Sequence, residues 1–330
     1  MWATGVSVGA GEPEANRRIN GGVDYLSGPT WSHAANAGQN EIPMKAAPVS
    51  VGIPSYARGM RVLKVLEHLA GCDPQPAEII VHVDQSDGQL ERELTTCFPS
   101  VRVCSSPGRI GPGGGRHRCL QVAAQPYFAS FDDDSWPVDP DFFAEVVTLF
   151  ERHPRAAVLA ALVYFPHEAQ PEREADVTTV TDFTGCGCAV RVEAYRQTAG
   201  YIDRSCSYGI EEVDLAMQLY ALEWTILRCR SLRTFHDTQL SHHASAEVVA
   251  GTVQNVALRA FLRYPVSLWP RALLQLGNVV YDMVRRRRFA GLGRGLWGIP
   301  ATLFHYVPFR RTLPAAKIRS YLRDRRRLGA

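Results

Sequence analysis

The sequence holds no CxxC pair, no internal repeat, no Gly-Lys-Ser/Thr phosphate loop and no apolar run as long as a membrane span. Each absence narrows the reading. Without paired spacing, the eight cysteines make neither a zinc site nor a disulfide framework, so a reducing, cytosolic compartment is expected. The stretch from Gly295 to Phe309 falls short of the about 20 apolar residues a spanning helix requires, and it carries Pro300, His305 and Pro308. Glu12 and Glu14 occupy a region where a signal peptide would need an apolar core behind positive charge, so secretion is not expected. With 46% apolar and 21% charged residues in 330, the chain is neither a disordered polymer nor a disulfide miniprotein.

The formal net charge of +3 conceals a division. Arg285 to Ala330 contains thirteen Lys and Arg against one acid, Asp324, a balance of +12; the first 284 residues hold 23 basic and 32 acidic side chains, a balance of −9. Beside Trp297, Phe304, Tyr306 and Phe309, the basic end favours an anionic surface, either a membrane face or nucleic acid. No RRM, zinc-finger or helix-turn-helix signature accompanies it, so nucleic acid is not the expected partner.

Residues 1–46 are rich in Gly, Ala, Asn and Ser without a sustained period and read as a flexible leader. From Pro48, short apolar runs alternate with helical spacing. Val49 to Pro54, Glu78 to Asp84, Val101 to Val103 and Tyr127 to Phe131 read as buried strands; Arg61 to Ala70 and Cys119 to Ala124 read as helices between them. Alternation of this kind predicts an α/β fold: a mostly parallel sheet with helices on both faces, over 47–250. Ligands in such sheets bind beyond the carboxyl ends of the strands, where Pro54, Asp84 and Asp132 fall. Beyond Ala250 the sequence turns to apolar helices with embedded arginines, giving a helical basic C-terminal region over 251–330. Trp136, Trp224 and Trp269 are core candidates.

Asp132, Asp133 and Asp134 follow the fourth strand. Crowded carboxylates are costly unless a cation neutralises them, and oxygen ligands suit Mg²⁺ or Mn²⁺ completed by substrate phosphates; the alternative is a solvated acidic turn. Glu211, Glu212 and Asp214 open a helix, where they serve either as caps or as a proton acceptor paired with that cation. Gly111 to Arg116 does not fit the dinucleotide fingerprint, because it follows the third strand; it reads as a loop against which a nucleotide can lie, with Arg116 or Arg118 near the phosphates. Cys186 and Cys188 read as packed thiols rather than nucleophiles, and Asp203 and Asp214 as helix caps or as partners of arginines.

In their order, Ile53 to Arg58, Val83 to Gly88, Gly111 to Arg116, Phe131 to Asp134 and Gly209 to Leu215 resemble the GT-A glycosyltransferases of family 2, over roughly Val49 to Ser245. The resemblance implies a GT-A, Rossmann-like sheet and an inverting transfer of sugar from a nucleotide diphosphate sugar to an acceptor hydroxyl, with Mg²⁺ or Mn²⁺. It assigns Pro54, Tyr56 and Asp84 to the nucleobase. Asp132 goes to the ribose, Asp134 to the metal and Glu212 to the base role. Gly185 lies under the donor sugar, Glu211 orients the acceptor, and His242 or His243 completes the metal site. Departures from the family pattern are Ala57 for Asn, Gln85 for the second Asp, His117 for Asn, and Glu212 where Asp is common. The acceptor expected is a glycan or lipid-linked glycan, reached from the cytoplasm or from the inner face of the plasma membrane. The competing classes are a nucleotidyltransferase, whose glycine-rich loop would follow the first strand, and a non-catalytic nucleotide-sugar-binding protein. A dehalogenase-type phosphatase does not fit Ser135-Trp136-Pro137 after the aspartates.

Overall fold

A computed structural model describes residues 46–56, 59–86, 88–206, 210–238 and 245–328. The expected leader, except residue 46, and both His242 and His243 lie outside the described residues.

The chain opens with β1 (Ala47–Tyr56), in which Val49, Val51 and Ile53 are fully buried on one face and Ser50 on the other, as a strand covered on both sides requires. Helix α1 (Gly59–Ala70) follows and buries Val62, Val65, Leu66 and Leu69, a stripe at helical spacing. The alternation continues through β2 (Pro76–Asp84), α2 (Gln89–Cys97), β3 (Arg102–Ser106), α3 (Gly111–Val122), β4 (Tyr127–Ser130) and β5 (Ser135–Pro137). Next come α4 (Phe142–Arg152), β6 (Ala156–Tyr164), β7 (Val177–Val180), β8 (Cys188–Arg191), α5 (Val192–Arg196), α6 (Glu211–Ala221) and β9 (Thr225–His236). Four helices close the chain: α7 (Ala246–Arg263), α8 (Trp269–Arg285), α9 (Leu292–His305) and α10 (Ala315–Leu328).

The described strands form one sheet in the order β3-β2-β1-β4-β8-β6-β9-β5, with β7 also paired to β9. β3, β2, β1 and β4 run parallel, as do β6 and β9. β8 is antiparallel to both β4 and β6, so the residues entering β8 meet those leaving β4 at one edge of the sheet. Two apolar cores cover the faces. The first joins α1 and α4 to β1, with Phe142, Phe143 and Phe150 nearly inaccessible. The second joins α3, α6 and, across the chain, Ile318, Tyr321 and Leu322 of α10. The boundary expected at 250 thus falls inside α7, and the last helix packs back onto the body. An inaccessible ion pair adds to this: Arg263 of α7 donates to Asp214 of α6 at 2.7 and 2.6 Å.

Two expectations are corrected. The glycine segment Gly111 to Arg116 is not a loop but the first turns of α3. Pro112 suits the first turn, and the Asp84 carboxylate accepts the backbone N–H groups of Ile110 and Gly111 at 2.8 and 2.9 Å, so the helix end is capped from another strand. The glycines serve close packing: a Cβ on Gly115 would lie 2.8 Å from Pro54 Cβ, and one on Gly113 2.8 Å from Glu211 Oε2. Of the three tryptophans, Trp136 is buried, Trp224 is half-buried beneath the Arg155 guanidinium, and Trp269 is exposed.

Candidate functional site

Four segments converge at the edge where β4 leaves and β8 enters: Asp132 to Asp134 after β4, Gly185 and Cys186 before β8, the first turn of α6, and His236 ending β9. The guanidinium of Arg116, from α3, joins two of them to β4. Its Nε donates to Ser130 Oγ at 3.0 Å and its Nη1 to Glu211 Oε2 at 2.8 Å, while Nη2 pairs with Asp132. Burial alone would disfavour its charge, but the carboxylates of Asp132, Glu211 and Glu212 outweigh burial and hold it protonated. Arg116 thus lies beneath the site, inaccessible, rather than on its surface.

Glu212 is half-buried, and its Oε1 accepts the Gly185 N–H at 3.1 Å. Burial raises its pKa above the usual carboxylate value, against the opposing charge of Arg116 and the N–H bond. Gly185 is a glycine for steric reasons: a Cβ there would lie 2.6 Å from Glu212 Oε1 and 2.7 Å from Arg116 Cζ. The neighbouring Cys186 faces the other way, with Sγ 3.4 Å from His236 Nδ1.

One carboxylate oxygen of Asp132, the Cys186 Sγ and a ring nitrogen of His236 all lie within 4.8 Å of one another. The carboxylate and imidazole of this set suit a divalent ion, whereas the sulfur is a softer donor than Mg²⁺ or Mn²⁺ prefers. Asp134 supports the set from behind. Its Oδ1 lies 3.0 Å from His236 Nε2 and its Oδ2 accepts from Arg61 at 3.3 Å, which orients the imidazole as an outer carboxylate orients a metal-binding histidine. Burial lowers the His236 pKa, but the Asp134 hydrogen bond and the Asp132 charge outweigh it and the net shift is upward.

The remaining expected residues fall around this centre. Asp133 is buried and accepts from Ser55 Oγ at 3.0 Å. Pro54 is buried under α3, while Tyr56 is exposed, with the Arg109 guanidinium 4.5 Å from its ring centre. Asp84 spends both oxygens on the β3–α3 junction, accepting also from Ser106 Oγ at 3.1 Å. Asp203 pairs with Arg118 at 2.8 Å and Asp214 with Arg263, as read from the sequence. Burial pushes the Cys188 thiol up to about 12 and that of Cys186 well above its ordinary value, so neither is poised as a nucleophile. The sequence reading missed His236 and Arg109. The signal for His236 was present, a histidine closing an apolar strand six residues before His242. A hollow of about 380 Å³ lined by Cys72, Pro74 and Ser100 lies at the amino ends of β1 and β2, away from these groups.

No curated protein sequence matches the chain. Among solved structures, it is similar to a mannosyltransferase from Pyrobaculum calidifontis in complex with GDP-Man and Mn²⁺, with 14% identity, 86% of each chain covered and a TM-score of 0.51. It is also similar to GalNAc-T7 with UDP, GalNAc and Mn²⁺, at 12% identity and a TM-score of 0.53, covering 82% of this chain and 59% of that one. TarS of S. aureus in complex with UDP-GlcNAc aligns at 15% identity over 83% of this chain and 91% of that one, with a TM-score of 0.48. The likenesses to the mannosyltransferase and to GalNAc-T7 describe the fold. Residues 50–198 match the model of glycosyl transferase family 2, the stretch that carries β1 to β8, Arg116, the aspartates and Gly185. Residues 50–198 are thus similar to glycosyl transferase family 2, and the fold around them is that of the mannosyltransferase and GalNAc-T7 structures.

Proposed function

We propose that the protein moves a sugar from a nucleotide diphosphate sugar to an acceptor hydroxyl by direct displacement, inverting the anomeric carbon, with Glu212 as the base. The observation that carries this reading is the adjacency of Gly185 and Cys186: the first binds the Glu212 carboxylate, and the second belongs to the donor set with Asp132 and His236. The base and the candidate donor set are thus attached to two consecutive residues. A carboxylate whose pKa is raised by burial is a better acceptor of a hydroxyl proton than a solvated one.

In this reading Asp132 and His236 would hold the divalent ion, Mg²⁺ or Mn²⁺, with the Cys186 thiol beside them and Asp134 orienting the histidine; His242 is a further ligand read from the sequence. The ion would supply charge stabilisation for the departing diphosphate. Arg116, fixed by Ser130, Asp132 and Glu211, positions the carboxylates beneath the donor rather than touching its phosphates. Glu211 thereby acts on the acceptor side only through Arg116 and the helix it opens. Tyr56 and Arg109 offer flat faces to a nucleobase, with Pro54 and Asp84 bracing β1 and the β3–α3 junction behind them. The acceptor proposed is a glycan or lipid-linked glycan, met on the cytoplasmic side by a protein peripheral to the membrane. All eight cysteines are free thiols, which agrees with a reducing compartment.

The test begins with a thermal-shift screen of nucleotide diphosphates and their sugars with Mn²⁺, which identifies the donor because a ligand of the native state raises Tm. Transfer by Glu212→Gln is then measured with that donor. A loss of about 10²–10⁴ in kcat is expected for removing a general base, and wild-type turnover would defeat the assignment. Binding without any turnover by the wild type would favour the non-catalytic alternative.

A further inference from the structure

Helices α8 and α9 turn apolar side chains outward. Of fifteen exposed large apolar side chains among the described residues, twelve lie between Val266 and Phe309, so they form a concentration rather than a scatter. On α8, Trp269, Leu273 and Tyr281 recur at multiples of four; on α9, Trp297 and Phe304 stand seven apart and are 88% and 83% exposed. The other side of α9 is the one that packs: Gly295 and Thr302 are buried, and a Cβ on Gly295 would lie 3.0 Å from Ala250 of α7. No helix among the described residues is long and apolar enough to cross a membrane.

Arg285, Arg286, Arg287 and Arg288 fill the junction between the two helices, with Arg294 one turn further, and the only acid from 266 to 309 is Asp282. A second copy meeting this face across a two-fold axis would set arginines against arginines. An anionic lipid surface matches both parts, since guanidinium groups meet headgroups while aromatic and aliphatic side chains enter the boundary of the acyl layer. The surface also lies close to the site. Gly291, just before α9, packs on Ala246 so tightly that a Cβ would reach its carbonyl oxygen. The adjoining Glu247 pairs with Arg109 at 3.5 Å, the residue stacked on Tyr56.

We propose that the outer faces of α8 and α9, with the arginine junction, dock the protein on an anionic bilayer surface and so bring the cleft to a membrane-held acceptor. The second clause rests on the transfer reading; docking itself does not. The experiment is flotation of the full chain, without donor, on phosphatidylcholine vesicles with and without phosphatidylglycerol, at low and high salt. Binding is expected only with the anionic lipid and is expected to weaken as salt rises. Replacing Arg285–Arg288 by Gln should cost about fivefold in partitioning per arginine. Trp297→Ser with Phe304→Ser should cost at least about tenfold from lost apolar burial. Every side chain changed is exposed except the half-buried Arg288, and an unaltered Tm checks the fold. Absence of flotation with anionic vesicles at low salt, or equal flotation of both variants, would overturn the proposal. So would a concentration-dependent dimer that the Trp297/Phe304 pair of substitutions abolishes. Because no sugar is present, a failure here leaves the Glu212 result untouched, and the converse holds.

Discussion

Adding one methyl group at Gly185 tests the centre of the site. The new Cβ would sit 2.6 Å from Glu212 Oε1, whereas ordinary contact begins at 3.4 Å, so something must yield by about 0.8 Å, the difference between the two. Arg116, at 2.7 Å, is clamped by Ser130, Glu211 and Asp132, while Glu212 is held at Oε1 by one N–H of the same residue. The carboxylate is therefore the group that moves. A misplacement of about 1 Å in a positioned group costs about 10²-fold in rate, and overpacking costs about 1–3 kcal/mol in stability. Gly185→Ala should thus stay folded, show a modestly lower Tm and lose about 10²-fold in kcat with the donor identified by thermal shift. Because the loss acts through the base, the double variant with Glu212→Gln should be no slower than Glu212→Gln alone. Wild-type kcat for Gly185→Ala, or a loss that multiplies that of Glu212→Gln, would refute the reasoning.

Three further outcomes are expected. Asp214→Ala strands Arg263 without its inaccessible partner and should destabilise by about 3–5 kcal/mol in chemical denaturation, while a Leu/Met replacement of both residues recovers most of it; a loss under about 1 kcal/mol would be inconsistent with the pair's role. Since burial raises the Glu212 pKa, the acid limb of kcat/KM should lie above the ordinary 4.5, with activity lost as pH falls and the carboxylate takes up its proton; a limb at or below that value contradicts the assignment. His236→Ala should weaken Mn²⁺ binding, read by calorimetry in the presence of UDP, by at least about tenfold; unchanged binding by His236→Ala together with a loss in His242→Ala would move the ligand role to His242.

The sheet was legible where apolar runs marked buried strands and where polar residues marked their ends, which is why Asp132 and Glu212 stood out. The reversal at β8 was not legible: a four-residue strand carries no sign of its direction, and its partners, β4 and β6, lie far away in sequence. Helix α3 was hidden by its glycines, whose low helical propensity is overridden by the Asp84 cap and by packing on Pro54 and Glu211. Arg116, like Arg118, reads as a neighbour of the phosphates because it follows a glycine-rich segment. Its neighbour in space, Glu211, stands 95 positions away, and only the closed sheet brings the two together.

The return of α10 to the body fixes the geometry of everything between it and α7. The two helices between them, α8 and α9, are thus tethered to the body on both sides. If the outer faces of α8 and α9 rest on a bilayer as proposed, the packing of α7 and α10 on the body sets how far from it the Asp132–Glu212 centre stands.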